Sequence, residues 1–425
     1  MSDRFTTRQW FELARGAGRR SDLCWLVERF ERLEASPELR ERAFDGLDLK
    51  VGWRLKDAGA SRTFARFPKR RLFYQKDALH RAVRLRELMA RPLPAGRSRG
   101  AAASSKGNGT LSVAEARPLL DACRVTLCVR RREIDTLSYV NEHEVSLFRL
   151  ERGIDLAVFG MRPERRLPIE SYIGFVLARN RVPVGYGGGW VFCDRSEIGV
   201  NIFDEFRGGE SALLFGQVLR VYHQYFGARR FVVDPYQFGA GNTEAIRSGA
   251  FWFYDRLGFR PLDEKLRSLA DGERARIQQD RSYRSPAKVL RRLARSKLVF
   301  DMDVDGGLDK SDVALSDVGI AVTRWIGERF DGDRQAAERW ALRRATSDLN
   351  VRGLATWPSD ERASFGRLSV LLGPIRRLSG WSDAEKKTLV ALMRAKGGVR
   401  ERSYVWKLRR HGRLRAALAE LGHGR

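Results

Sequence analysis

Between Glu197 and Ala212 the chain places residue types at a spacing that can hold an anion. Residues 197–206 alternate, with Ile198, Val200, Ile202 and Phe206 on one face and Glu197, Asn201, Phe203 and Glu205 on the other, which predicts a strand. Gly208-Gly209 ends it. Ala212, Leu213, Phe215, Leu219 and Tyr222 then carry a helical repeat to Gly227. Strand, glycine turn and helix N-terminus in succession gather free backbone N–H groups at the positive end of a helix dipole. The chemistry on offer is recognition of a phosphate or a similar anion, and Ser211 adds a hydroxyl donor.

A second strand, Phe231-Val232-Val233, and a second helix ending in Leu257-Gly258-Phe259 follow. With them, residues 145–262, and most closely 197–261, resemble the GCN5-related N-acetyltransferase family. In that family a strand leads into a loop of the form Gln/Arg-x-x-Gly-x-Gly/Ala that binds the pyrophosphate of acetyl-CoA. Here Arg207-Gly208-Gly209-Glu210-Ser211-Ala212 occupies that place. Arg207 and Ala212 match, and Glu210 stands where glycine is expected. Further on, Tyr254 keeps the family's distance to Gly258-Phe259, whereas Ser248–Trp252 lengthens the gap between Asn242 and Tyr254.

The resemblance implies acetyl-CoA as cosubstrate and direct attack of an amine on the thioester. Tyr254 would protonate the departing thiolate, a task that suits a phenol with an ordinary pKa near 10. A strand glutamate, Glu197 with Glu205 on the same face, would take the amine proton through water; Asp204 lies on the other face. The backbone of Ile202 and Phe203 would pair with the pantetheine arm, with the Phe203 side chain at the acetyl pocket. Arg207, Gly208, Gly209, Glu210, Ser211 and Ala212 would hold the pyrophosphate, joined by Asn242. Another reading of the same residues is a strand-to-helix turn with an acidic first turn, and a Tyr254 that packs on the stripe of Ile246, Ala250, Phe253 and Leu257.

The elements that must position these residues divide the chain. Residues 1–94 read as helical, with Ser21 and Ser36-Pro37 as helix starts. Residues 95–111 are small, polar and aperiodic, a linker. Residues 112–265 are the acetyltransferase-like domain. Ser112 and Glu115 form a capping box for a helix to Cys123. Short β-like pieces follow at Arg124–Val129, Val145–Leu150 and Ile154–Phe159, then a hairpin from Tyr172–Ala178 to Pro183–Cys193. Gly185 and Gly187–Gly189 in its second strand signal a bulge or a close backbone approach. A charged connector, 266–285, leads to a helical domain, 286–425, in which Ser382 and Glu385 form another capping box. The expected class is α+β: a mixed, acyl-CoA N-acyltransferase-like sheet with all-α segments on either side.

Composition bounds the function. The chain has 425 residues and a formal net charge of +27, which favours an anionic partner. Arginines among aromatics in residues 66–74 are of a kind that engages nucleic acid. No signal-peptide pattern and no run of membrane-spanning length is present, the four cysteines form no CxxC pair, and the five histidines lack zinc spacing, so a reduced, cytoplasmic protein is expected. Asp301, Asp303, Asp305, Gly306 and Leu308 follow much of a calcium-loop spacing, but position twelve is Asp312 where a bidentate glutamate belongs. That segment reads as an acidic surface turn, and no metal is assigned. The expectation is an acetyl-CoA-dependent N-acetyltransferase acting on an unidentified amine. The alternative is a catalytically degenerate acetyltransferase fold that serves as a basic nucleic-acid-binding or scaffold protein.

Overall fold

The computed structural model describes residues 83–94, 109–130, 132–207, 210–303 and 313–423. The helices expected before residue 83, most of the 95–111 linker, Gly208-Gly209, the Glu205 side chain and the acidic turn from 304 to 312 lie outside the described residues. The described residues all fall in one compact unit.

Helix α1 (Leu85–Ala90) precedes α2 (Val113–Val129), which opens on the expected capping box: Ser112 accepts from the Glu115 N–H, and Glu115 reaches back to the Ser112 N–H. The β-like piece expected at Arg124–Val129 is helix instead. Its β-branched residues favour a strand locally, but Leu119, Leu120, Cys123 and Leu127 continue a helical stripe into the core, and that burial wins.

Four strands follow as an antiparallel meander: β1 (Val140–Arg149), β2 (Ile154–Met161), β3 (Ser171–Arg179) and β4 (Val182–Phe192). Asn180 and Arg181 both take positive φ, 47° and 68°, as a two-residue hairpin turn requires. The β4 glycines are there for close approach. A methyl group on Gly187 would lie 2.1 Å from the Gly199 carbonyl oxygen, and one on Gly188 would meet the Tyr172 ring. Next come β5 (Arg195–Ile202), α3 (Ser211–Val221), which widens into a π-turn over Tyr222–Phe226 and stops at Gly227 (φ 83°), and β6 (Arg230–Val233). The second helix is two, α4 (Thr243–Ser248) and α5 (Ala250–Arg256), parted by Gly249 at φ 64°. The lengthened Asn242–Tyr254 gap is this left-handed break.

Strand β7 (Arg260–Pro261) leads to α6 (Glu264–Gln279), α7 (Ala287–Leu293) and β8 (Leu298–Asp301). β8 lies in the segment 286–425 expected to be helical, at the run Lys297–Phe300 that reads equally well as a strand. Its apolar run Leu298-Val299-Phe300 inserts between β6 and β7, completing an eight-stranded mixed sheet in the order β1-β2-β3-β4-β5-β6-β8-β7. One face of the sheet packs on α3 and α5, the other on α2.

The α-helices after β8 are α8 (Leu315–Phe330), α9 (Arg334–Asp348), α10 (Ser359–Leu372), α11 (Asp383–Gly397), α12 (Glu401–Arg410) and α13 (Gly412–His423). Ser382 and Glu385 form the expected capping box on α11. These helices are joined to the sheet by buried charges. The pairing of β1 with β2 is irregular between Val140 and Val145, and Glu144 there accepts the backbone N–H groups of Glu401 and Arg402 at 2.8 and 2.7 Å, capping α12 from across the seam. Arg166 donates to the carbonyls of Lys396 and Gly398 at 2.7 and 2.6 Å, and faces Glu144 and Glu401 at 3.5 and 3.4 Å. Lys396 pairs with Glu401 and donates to the Glu170 carbonyl. No helix among the described residues is long and apolar enough to cross a membrane.

Candidate functional site

The site expected from sequence falls where β5 and β6 part. The two strands run parallel, but only Arg195–Glu197 pairs with Arg230–Val232, while β5 continues to Ile202 with its other edge on β4. Phe203 N–H donates to the Val184 carbonyl at 3.0 Å. Antiparallel pairing alternates, so Phe203, Asn201 and Gly199 turn their backbone groups toward β4, and Val200 and Ile202 turn theirs to the side that β6 has left. The Ile202 carbonyl accepts from Arg207 Nε at 2.9 Å; Val200 has no strand partner on that side among the described residues. The slot from 198 to 202 is roughly 13 Å long at the usual rise of a strand. On its far lip, the turn Pro235–Phe238 brings Gln237 Nε2 to 3.3 Å from where a Gly199 methyl group would stand.

At the open end stands the N-terminus of α3. Glu210 takes the cap position without a side-chain cap bond, and the first helical bond runs from Leu214 N–H to the Glu210 carbonyl, so Ser211, Ala212 and Leu213 hold the unbonded amides of the first turn. The Glu210 carboxylate turns to Arg179 and to Arg152, the latter at 3.8 Å. Its charge is therefore matched by cations from the end of β3 and the β1–β2 connection. The sequence carried no local signal for those partners, 31 and 58 residues away. Arg207 spans the loop: besides Ile202, its guanidinium pairs with Glu244 and, at 3.0 Å, with Asp204, and it is 43% exposed.

Other expected residues are placed differently. The Phe203 ring is enclosed on the α2 side, beneath the Arg130 guanidinium at 4.4 Å and beside Tyr186. Strand alternation sends Ile202 to one core and Phe203 to the other. The ring is thus committed to that core rather than to an acetyl pocket, and the Phe203 N–H expected for a pantetheine arm is taken by Val184. Val200 is the residue with its backbone turned to the slot. Asn242 caps α4, accepting from Ala245 N–H at 3.0 Å and donating to the Tyr236 carbonyl at 3.1 Å, so its amide is engaged at both ends.

Glu197 sits at the closed end of the slot, paired with Lys297 at 2.6 Å. Tyr254 is 4% exposed, among Phe215, Phe238, Phe253 and Phe259 with ring centroids 5.1 to 6.2 Å away. Burial pushes its phenol up, so it stays protonated through neutral pH.

One cluster beside the slot had no sequence signal. The Tyr186 hydroxyl donates to Glu133 and accepts from Asn201 Nδ2 at 3.2 Å, on the β5 face opposite Ile202. Burial raises the Tyr186 phenol, and the phenol's hydrogen bond lowers the Glu133 carboxyl. Among the described residues no group of three or more His, Cys, Asp and Glu side chains converges as a metal site would. No family model, no curated protein and no solved structure matches the chain.

Proposed function

We propose that the chain is an acetyl-CoA-dependent N-acetyltransferase with an acyl-CoA N-acyltransferase-like fold, which transfers an acetyl group to an amine by direct attack on the thioester. The observation that carries this reading is the parting of β5 from β6. It leaves Val200 N–H and C=O on an open strand edge that leads, eleven residues on, to the start of α3, which has no side-chain cap. An extended amide-bearing arm satisfies such an edge as a strand would, and a pyrophosphate at its end meets helix amides. The ion pairs of Arg207 are solvent-exposed, hence weak and exchangeable for a diphosphate. Glu210 is held by Arg152 and Arg179 and so presents little repulsion.

In this reaction Glu197, at the closed end, takes the amine proton through water, and Tyr254 supplies a proton to the thiolate sulfur. Gln237, rather than Phe203, borders the slot at Gly199.

The second reading, a degenerate acetyltransferase fold acting as a basic nucleic-acid-binding or scaffold protein, draws support from Tyr254, whose ring is wholly packed among aromatics, and from the +27 charge. Calorimetry separates the two. Wild type is expected to bind acetyl-CoA, and Gly199→Trp and Gly209→Trp to lose that binding while keeping the wild-type melting temperature within a few degrees. Absence of binding by wild type, with salt-sensitive binding to generic single-stranded nucleic acid, sinks the enzyme reading in favour of the second.

A further inference from the structure

A cleft of about 320 Å³ lies between the β1–β2 edge of the sheet and α12. It is four strands from β5, roughly 19 Å at the usual strand spacing, and owes nothing to the acetyl-CoA reading. Its volume is that of a small-molecule site.

Four cations line it. Arg400, Lys407 and Arg410 fall with Ser403 at intervals of three and four residues, one face of α12, while Tyr404, Val405 and Leu408 form the buried face. Arg400, Lys407 and Arg410 are exposed, and among the described residues no carboxylate pairs with them. The fourth cation, Arg402, is fixed: its guanidinium lies 3.7 Å over the Tyr225 ring, and its Nε donates to the Tyr225 carbonyl at 2.8 Å.

Glu144 is the one carboxylate in the lining, and both its oxygens are taken by the Glu401 and Arg402 amides. It does not neutralise the four cations. It also occupies the α12 N-terminus, so an anion entering the cleft must be held by side chains and not by the helix end. The cations form two groups, Arg400 with Arg402 and Lys407 with Arg410, about 10 Å apart along the helix. Ser403, exposed on α12 between the two groups, also lines the cleft, whereas the Ser146 hydroxyl is buried against Tyr225 and Thr110. Cations at both ends with a hydroxyl between them match a polyol phosphorylated at both ends.

We infer that this cleft binds a small bis-phosphorylated polyol, one phosphate on Arg400 and Arg402 and the other on Lys407 and Arg410. The test is calorimetry on the full chain at low salt with fructose 1,6-bisphosphate as probe, beside the same sugar with one phosphate. The expected result is a single site, at least about tenfold tighter for the bisphosphate than for the monophosphate. Arg400→Glu/Arg410→Glu should weaken it at least about tenfold, and Arg339→Glu, an exposed charge on α9, should leave it unchanged. Melting curves check the fold. Should the double variant unfold, Lys407→Met and Ser403→Ala, both at exposed positions, carry the test with smaller losses in the same direction. Lack of binding, equal affinity for the two sugars, or equal affinity in the folded variants overturns the proposal. So does an oligonucleotide of about 20 nucleotides that binds about a hundredfold tighter and is lost in the same variants, because the face then belongs to nucleic acid.

Discussion

The seam between the sheet and the C-terminal helices and the slot between β5 and β6 both gather charged side chains, and they treat them in opposite ways. At the seam Arg166, Lys396 and Glu401 have side chains at most 2% exposed, and each is met by carbonyls, amides or an opposite charge. At the slot Arg207 and Glu244 are 43% and 72% exposed, and the unmatched groups are backbone ones, on Val200 and at the start of α3. A buried ion cluster closed on itself is costly to break and offers little to a ligand. An open strand edge beside exchangeable surface pairs costs little to keep and can be completed from outside. The first arrangement holds parts together, and the second leaves a place to be filled.

Breaking each region should show that contrast. Glu401→Ala strands Lys396 and Arg166 without their shared carboxylate and is expected to cost about 3–5 kcal/mol in denaturant unfolding. A loss below about 1 kcal/mol would put the seam in the same class as the surface pairs. Tyr254→Phe removes one hydroxyl from the aromatic cluster. On the acetyl-transfer reading turnover falls by about a hundredfold with acetyl-CoA affinity kept. Unchanged turnover removes Tyr254 from the chemistry and leaves it as packing.

The next effect is a pH dependence. Burial and the neighbouring Glu401 push the Glu144 carboxyl up to about 7. Between its ordinary value of 4.5 and about 7 the folded chain holds a proton that the unfolded chain releases, so this group's contribution to stability falls as pH rises through that window. Glu144→Gln should flatten that stretch of the stability–pH profile, read from unfolding midpoints on both sides of it. A profile identical to wild type would show that Glu144 is ionised throughout. Smallest of all, Arg207→Ala should change stability by less than about 1 kcal/mol, since its partners are exposed, while weakening acetyl-CoA binding about tenfold. Equal affinity would mean that Arg207 only ties the loop to Ile202 and Glu244.

Local signals carried far along the chain. The Ser112–Glu115 and Ser382–Glu385 boxes, the hairpin over residues 171–192 and the glycine-bearing strand β4 were all legible, because caps, turns and alternation are decided within a few residues. Arg124–Val129 misled for the same reason: Val125, Thr126 and Val129 suit a strand, and only the stripe buried against β1 makes them helix. The run Lys297–Phe300 allowed a strand, but the place of β8 between β6 and β7 was hidden because a four-residue apolar run does not announce its partners. At the site, the strand as far as Ile202 and the α3 start could be read, whereas Asp204–Phe206, expected to continue the strand, form a 3-10 turn. The place where β6 leaves β5, the cations that hold Glu210, and the Glu133–Tyr186–Asn201 cluster could not, since each depends on residues brought from elsewhere in the chain.

The Glu144 cap on α12 joins residues 257 and 258 positions apart. Contacts of such separation form late, because a long loop must close before they return anything. During synthesis the sheet emerges first, with Glu144 still hydrated and its seat empty, and α12 arrives only about 250 residues later. Truncation before residue 396 would therefore leave a sheet edge carrying the Glu144 carboxylate without its amide partners and Arg166 without the carbonyls of Lys396 and Gly398, a surface suited to capture by another chain.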